Sequence, residues 1–310
     1  MPHGWSVHDT VATALQTQRS VVALESAFLT HGLPYPANLE TAQAMLEAVR
    51  AGGSVPAILA VWQGRVCIGL DDKILSRLAE TSASGQVRKA SRRDLALVVE
   101  QGASAGLTVA ASLYLAAQMG IRVLATGGLG GVRRSDVAQW DVSADLWELA
   151  QQPVAVVCSG AKSLMDAEAT WEWLETLGVP VIGWDTSDWP GFVLRSSGLR
   201  VLAEAHSAEE LARWLCRHWD YGGRGIIVAV APPIALDPAE HEAALRQAER
   251  EAQLQGIHGP HWTPFILRRL AELTGGRSLE ANRALLVHNA QRAGQLAQAL
   301  TATDLVRELS

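Results

Sequence analysis

The stretch Ala155-Val-Val-Cys-Ser-Gly-Ala-Lys162-Ser-Leu-Met-Asp166 limits the fold of this chain more than any other. Its first four residues are all apolar, and a strand can bury both of its alternating faces only in a sheet covered by helices on both sides. The small residues that follow end the strand in a tight turn. That turn puts Lys162 at the carboxyl edge of the sheet, where open α/β sheets bind their ligands. Two readings of Lys162 stand at this point: a lysine tuned by a cleft, or a solvated residue after a strand. A nucleotide phosphate loop ending in Lys162-Ser163 fails, because Ala161 stands where the motif has glycine and no glycine opens the loop.

The rest of the chain alternates in the same way. Residues 21–26 form a short apolar strand running into the carboxylate of Glu25. Residues 38–50 have helical periodicity and stop at Gly52-Gly53. Residues 55–70 read as a hairpin turning at Gln63-Gly64, and Ser91 can cap a helix running to about Gly102. Residues 108–119 are small and apolar on nearly every side, which predicts a buried helix. Residues 121–126 form a strand that opens into Gly127-Gly-Leu-Gly-Gly131, and a helix over 145–151 leads to the Lys162 strand. Beyond it come a helix over 164–177, strands over 179–184 and 199–204, a helix over 208–218 and a strand over 225–231. From Pro238 onward everything is helical, in three segments parted near 256–260 and at Gly275-Gly276. This alternation predicts a three-layer α/β/α fold with a largely parallel central sheet and a helical C-terminal part, with residues 1–310 as a single domain.

Composition excludes several partners. A net charge of −6 argues against a nucleic-acid surface, which needs a concentrated basic face. No stretch reaches the ~20 apolar residues of a membrane span. The first residues carry no basic segment followed by an apolar one, so no secretory signal is expected. Cys67, Cys158 and Cys216 fall at no metal or disulfide spacing and read as buried, reduced residues of a cytoplasmic protein. Eleven tryptophans against three tyrosines and three phenylalanines is an unusual balance, and Trp171, Trp173, Trp184 and Trp189 crowd together. They serve core packing or offer flat surface to an aromatic ligand.

Four polar features fall at strand ends or in glycine loops: Glu25, Lys89, the 127–131 loop and Lys162. A glycine-rich loop lets backbone N–H groups approach an anion. This loop lacks dinucleotide spacing, which points to a small phosphate ester. Arg133-Arg134 would add charge there, or form a solvated basic pair. In Asp141-Val-Ser-Ala-Asp145 two carboxylates four residues apart would share a helix face and repel. A divalent metal would relieve them, and so would a helix N-terminus.

With those residues in view, the chain resembles the pseudouridine-5'-phosphate glycosidase family, also called indigoidine-synthase-A-like proteins, over nearly its whole length. The matching stretches are Ala23-Leu-Glu-Ser26 with His31-Gly-Leu-Pro-Tyr-Pro36, Lys89-Ala-Ser-Arg-Arg-Asp-Leu95, and Ala125-Thr-Gly-Gly-Leu-Gly-Gly-Val132. Asp141-Val-Ser-Ala-Asp-Leu146, Gly160-Ala-Lys-Ser163, Thr263-Pro-Phe265 and Glu272-Leu-Thr-Gly-Gly-Arg-Ser-Leu279 ending at Asn282 complete the set. The resemblance implies an enzyme that makes or breaks the C–C bond between ribose 5-phosphate and a uracil carbon, on an α/β/α fold in a homotrimer. It implies Lys162 as the nucleophile forming a Schiff base with C1' of the opened sugar, Glu25 as acid/base, and Asp145 and Lys89 as assistants. It implies Mn2+ or another divalent cation at Asp141. Val109, Ser143 and Asn282 match substrate-contacting positions, and Thr126 and Arg134 are expected beside them.

Three positions depart from the family's pattern and are expected on the acceptor side. Arg133 replaces a histidine, Val230-Ala-Pro-Pro233 replaces Asn-Pro-Ile-Pro, and His288 replaces the first asparagine of a pair. A polar reader of uracil converted to Val230 would cost about 1–3 kcal/mol for each unpaired hydrogen-bonding group. The family resembled here includes a branch that runs the reaction as synthesis in alnumycin-type antibiotic pathways, and these departures, with the retained lysine and the tryptophan content, lean towards it. The expectation is a C-glycosynthase-like enzyme of secondary metabolism joining ribose 5-phosphate to an aromatic, polyketide-type acceptor. The alternative expectation is a pseudouridine-5'-phosphate glycosidase that gives uracil and ribose 5-phosphate. A catalytically dead sugar-phosphate-binding protein is the third reading, and intact Glu25, Asp145 and Lys162 argue against it.

Overall fold

A computed structural model describes residues 4–81, 84–133, 141–257 and 262–308. The strands Val55–Trp62, Val21–Leu24, Val123–Ala125, Ala155–Cys158, Ile226–Val230, Val181–Trp184 and Ala203–Ala205 lie side by side in that order, every neighbouring pair parallel. Arg65–Ile68 and Ala105–Leu107 add antiparallel pairs to the Val55–Trp62 edge, Trp5–Val7 pairs with Arg65–Ile68, and Arg88–Ala90 pairs with Ala105–Leu107.

Side-chain alternation explains why these strands are apolar throughout. Val22, Leu24, Val123, Ala125, Val157, Val228 and Val230 enter one core cluster, under the helices Ala37–Ala51, Ala208–Asp220 and Arg277–Glu308. Val21, Ala23, Leu124, Val156, Cys158, Ile227 and Ala229 enter the other, under Asp9–Gln16, Leu95–Glu100, Val109–Gln118, Ala144–Gln151 and Ala167–Thr176. Period-2 side chains with helices on both faces make the expected three-layer α/β/α architecture with its helical C-terminal part. The last helices are Pro238–Leu254, Trp262–Leu273 and Arg277–Glu308, broken where the glycines predict. Leu164, just past Lys162, is fully buried in a third cluster with the first two of them.

Three boundaries differ from expectation. Asp166 caps a helix that starts at Ala167, and Met165–Asp166 instead pairs antiparallel with Val132–Arg133. The strand expected over 199–204 is Ala203–Ala205, and the expected Ser91 cap opens a short 3-10 turn before Leu95–Glu100. All three cysteines are buried and free. Among the described residues no helix is long and apolar enough to cross a membrane.

The order places a reversal where it matters. From Val21–Leu24 the chain moves to Val55–Trp62 on one side and returns to Val123–Ala125 on the other. A crevice opens at the carboxyl ends of strands flanking such a switch point.

Candidate active site

Glu25 follows Val21–Leu24 at this crevice, Thr126 follows Val123–Ala125, and Lys162 stands four residues past Ala155–Cys158. A cleft is lined by Glu25, Phe28, His31, Lys89, Thr126, Gly127, Gly128, Lys162, Phe192, Thr263 and Asn282. Five side chains expected at the site, Glu25, Lys89, Thr126, Lys162 and Asn282, meet here. Lys89 arrives because Arg88–Ala90 pairs with Ala105–Leu107, which is tied to the central sheet. The Lys162 loop is held by Lys162 N–H donating to the Leu129 carbonyl at 2.9 Å and by Met165 N–H donating to the Lys162 carbonyl at 2.8 Å. Gly160 turns it with φ of 84°, and the Pro190 carbonyl occupies the space where a Cβ would sit.

Glu25 is 4% exposed, and its carboxylate accepts from Phe28 N–H at 3.2 Å and from Thr126 Oγ1 at 3.3 Å. Burial raises its pKa, with the Lys162 charge pulling the other way. Lys89 keeps solvent contact at the mouth of the cleft, yet the protein around it lowers its pKa, first by desolvation and then by the charge of Lys162. A carboxyl shifted towards its protonated form beside a lysine shifted towards its neutral form gives the cleft the two kinds of group that proton transfer uses.

Asp145 is buried at the start of Ala144–Gln151. Its Oδ1 accepts from Ala110 N–H and its Oδ2 from Gly130 N–H, both at 2.8 Å, while Ser143 Oγ accepts from Asp145 N–H at 3.2 Å. The glycine loop does cradle an anion, but at Gly130 that anion is the protein's own carboxylate. A Cβ on Gly130 would lie 2.9 Å from Asp145 Oδ2. Asp145 still acts on Lys89 and Glu25 through its charge, adding to the rise at Glu25 and opposing the net lowering at Lys89. Val109 opens the helix whose second N–H holds Asp145.

The carboxylates of Asp141 and Asp145 do not share a helix face. Ser143 caps the helix, so Asp141 precedes it on an extended segment and is largely exposed. Val230 is 2% exposed within the core, and His288 lines a separate groove with Thr41, Ile234 and Arg283; neither borders the Lys162 cleft. Arg133 packs over Trp262, beside the cleft-lining Thr263. Arg134 lies outside the described residues. Trp184 and Trp189 are core residues, Trp171 packs on Trp189 with ring centroids 5.2 Å apart, and none of the four clustered tryptophans lines this cleft.

Three residues escaped sequence reasoning. His31 has its pKa lowered to about 4 by burial and by the Lys89 charge, and its Nδ1 is 2.7 Å from Thr30 Oγ1. Phe192 holds φ of 66°, a conformation a bulky residue adopts only under constraint, and its ring presses on Gly128. Asn289 is fully buried and donates to the Thr126 carbonyl at 2.9 Å, pinning the C-terminal helix to the strand end beside Glu25. The Asn289 position was visible as the retained half of an asparagine pair; nothing in the sequence signals the backbone of Phe192.

Residues 10–299 match the family described as Indigoidine synthase A like protein. A pseudouridine-5'-phosphate glycosidase of Sorangium cellulosum strain So ce56 is 45% identical over 298 residues, 96% of this chain and 93% of that protein. One from Roseiflexus sp. strain RS-1 is 47% identical over 292 residues, 94% of each. Among solved structures, the prealnumycin C-glycosynthase AlnA in complex with ribulose 5-phosphate superposes with a TM-score of 0.90 at 34% identity, covering 99% of this chain and 100% of that one. An indigoidine synthase A-like protein from Thermotoga maritima superposes with a TM-score of 0.86 at 32% identity, covering 97% and 98%.

Proposed function

The chain belongs to the indigoidine synthase A-like family of glycosidase- and glycosynthase-type enzymes, and from that premise we propose that it is a C-glycosidase acting on pseudouridine 5'-phosphate. The products are uracil and ribose 5-phosphate. The observation that carries this reading is the meeting of Lys162, Glu25, Lys89, Thr126 and Asn282 in one cleft at the switch point. Full-length relatives at 45% and 47% identity that bear this name support it.

The geometry suits a three-step reaction. Lys162 Nζ bonds to C1' through its lone pair as the C1'–O4' bond breaks, and Glu25 gives its proton to O4'. The proton shed by the lysine nitrogen recharges Glu25. Glu25 then protonates the uracil carbon while the nitrogen lone pair forms C1'=N+, so the C–C bond breaks and uracil leaves. Water adds to the iminium, freeing Lys162 and the aldehyde form of ribose 5-phosphate. An iminium supplies the electron sink that breaking a C–C bond requires. A raised Glu25 pKa keeps the proton available for the first and second steps. The Phe192 and Phe28 rings give the cleft apolar surface for the flat base.

Synthesis onto an aromatic acceptor is the second reading, favoured by the likeness to the prealnumycin C-glycosynthase. It loses much of its sequence basis, because Val230 and His288 lie away from the cleft. Incubation with pseudouridine 5'-phosphate, followed by absorbance for uracil, separates the two. The glycosidase reading predicts turnover that Lys162→Ala abolishes; no uracil release, with ribose 5-phosphate consumed only beside a polyketide acceptor, would favour the synthase. The homotrimer belongs to the same proposal and is read from mass by light scattering.

A further inference from the structure

The resemblance puts a manganese ion at Asp141, and the surroundings of that carboxylate do not fit one. Arg133 N–H donates to the Asp141 carbonyl at 3.0 Å, so the two residues face each other across a short paired segment. The Arg133 guanidinium stands 3.5 Å from Asp141 Oδ2, and the Arg133 side chain is 18% exposed against 59% for Asp141. The same guanidinium lies over the Trp262 ring, its carbon 4.0 Å from the ring centroid. A carboxylate and an aromatic face thus fix the same cation.

A divalent ion on an Asp141 oxygen would sit about 2.0–2.6 Å from it. On Oδ2, the oxygen that faces Arg133, that position lies against the guanidinium, which cannot give up its proton to relieve the repulsion. Among the described residues no group of three histidine, cysteine, aspartate or glutamate side chains is placed to hold a metal instead. Arg133 also pairs in register with Met165, on the ribbon that continues the Lys162 loop. Its charge therefore belongs to the neighbourhood of the reactive lysine whatever the metal supply.

We infer that Arg133 is the built-in cation of this site, occupying with its guanidinium the place of a divalent metal at Asp141. The inference rests on the Arg133, Asp141 and Trp262 geometry and is independent of which aglycone the enzyme takes. The test is electron paramagnetic resonance of free Mn2+ titrated with chelator-treated full-length protein. The wild type should leave the free Mn2+ signal undiminished. Arg133→His and Arg133→Ala should each gain a site at least about tenfold tighter once the repelling charge is gone, and adding Asp141→Asn should remove it. Arg133→Lys, which keeps the charge, should behave as wild type, and an unchanged melting profile in each variant shows that the fold is retained. Uptake of Mn2+ by the wild type that Asp141→Asn abolishes would overturn the inference. So would an Arg133→Ala variant that folds and gains no site. Neither result bears on whether pseudouridine 5'-phosphate is the substrate, which the uracil assay reads separately.

Discussion

At the scale of single residues, burial in the site shifts titratable groups from their ordinary pKa values. Glu25 has a folded pKa raised above its usual 4.5 by burial. A raised acid binds its proton more tightly when folded, so its contribution to stability is present below the unfolded pKa and lost as pH rises through the folded one. Glu25→Gln keeps the shape and removes that loss. It should cut kcat by about 10²–10⁴-fold while raising the melting temperature at about pH 8 and leaving it near wild type at about pH 4. His31 runs the other way, lowered from 6.5 to about 4. Its stability is fully present above pH 6.5 and lost as pH falls towards 4, because the folded state resists the proton that the unfolded chain accepts. The ring still meets solvent, so the effect should be on the order of 1 kcal/mol. Urea midpoints for His31→Gln should show a shallower fall than wild type across that window; an identical fall would assign the acid sensitivity to another group.

Between elements, the contacts that hold the site are polar and long-range. Asn289 joins the helix Arg277–Glu308 to Thr126, and Thr126 joins Glu25. Asn289→Ala should cost about 1–3 kcal/mol for each buried partner it orphans, read as a lower denaturation midpoint, and should lower kcat by loosening Thr126. Gly130→Ala should displace Ser143 first and Asp145 with it, and so weaken sugar-phosphate binding with little change in helix content, measured by calorimetry and circular dichroism. Most of the layering was legible because uniformly apolar strands and glycine-stopped helices carry strong local signals. Lys162 and Glu25 were legible for the same reason, standing where such strands end. The strand Ala105–Leu107 was not, since Ala-Gly-Leu has no pattern of its own and pairs only through distant partners. The shared helix face inferred for Asp141 and Asp145 failed because spacing alone does not say where Ser143 starts the helix. Val230 and His288 stand away from the Lys162 cleft for a related reason. A substitution shows in sequence, but the direction a side chain faces is set by packing.

Across the whole molecule, strand order decides where chemistry happens. The reversal at Val21–Leu24 opens a crevice, and the C-terminal helices close over it with Asn282, Thr263 and Asn289. A sugar phosphate bound there bridges both parts, so ribose 5-phosphate should raise the melting temperature, by an amount corresponding to about 2.7 kcal/mol at a hundred times its Kd. The account stands or falls on the covalent role of Lys162. The direct measurement is borohydride reduction in the presence of ribose 5-phosphate, followed by peptide mass spectrometry. The reduced sugar phosphate should be found on Lys162, and not on Lys89, with Lys162→Arg left unlabelled. An unmodified Lys162 under conditions where the enzyme turns over, or label found on Lys89 instead, would contradict it.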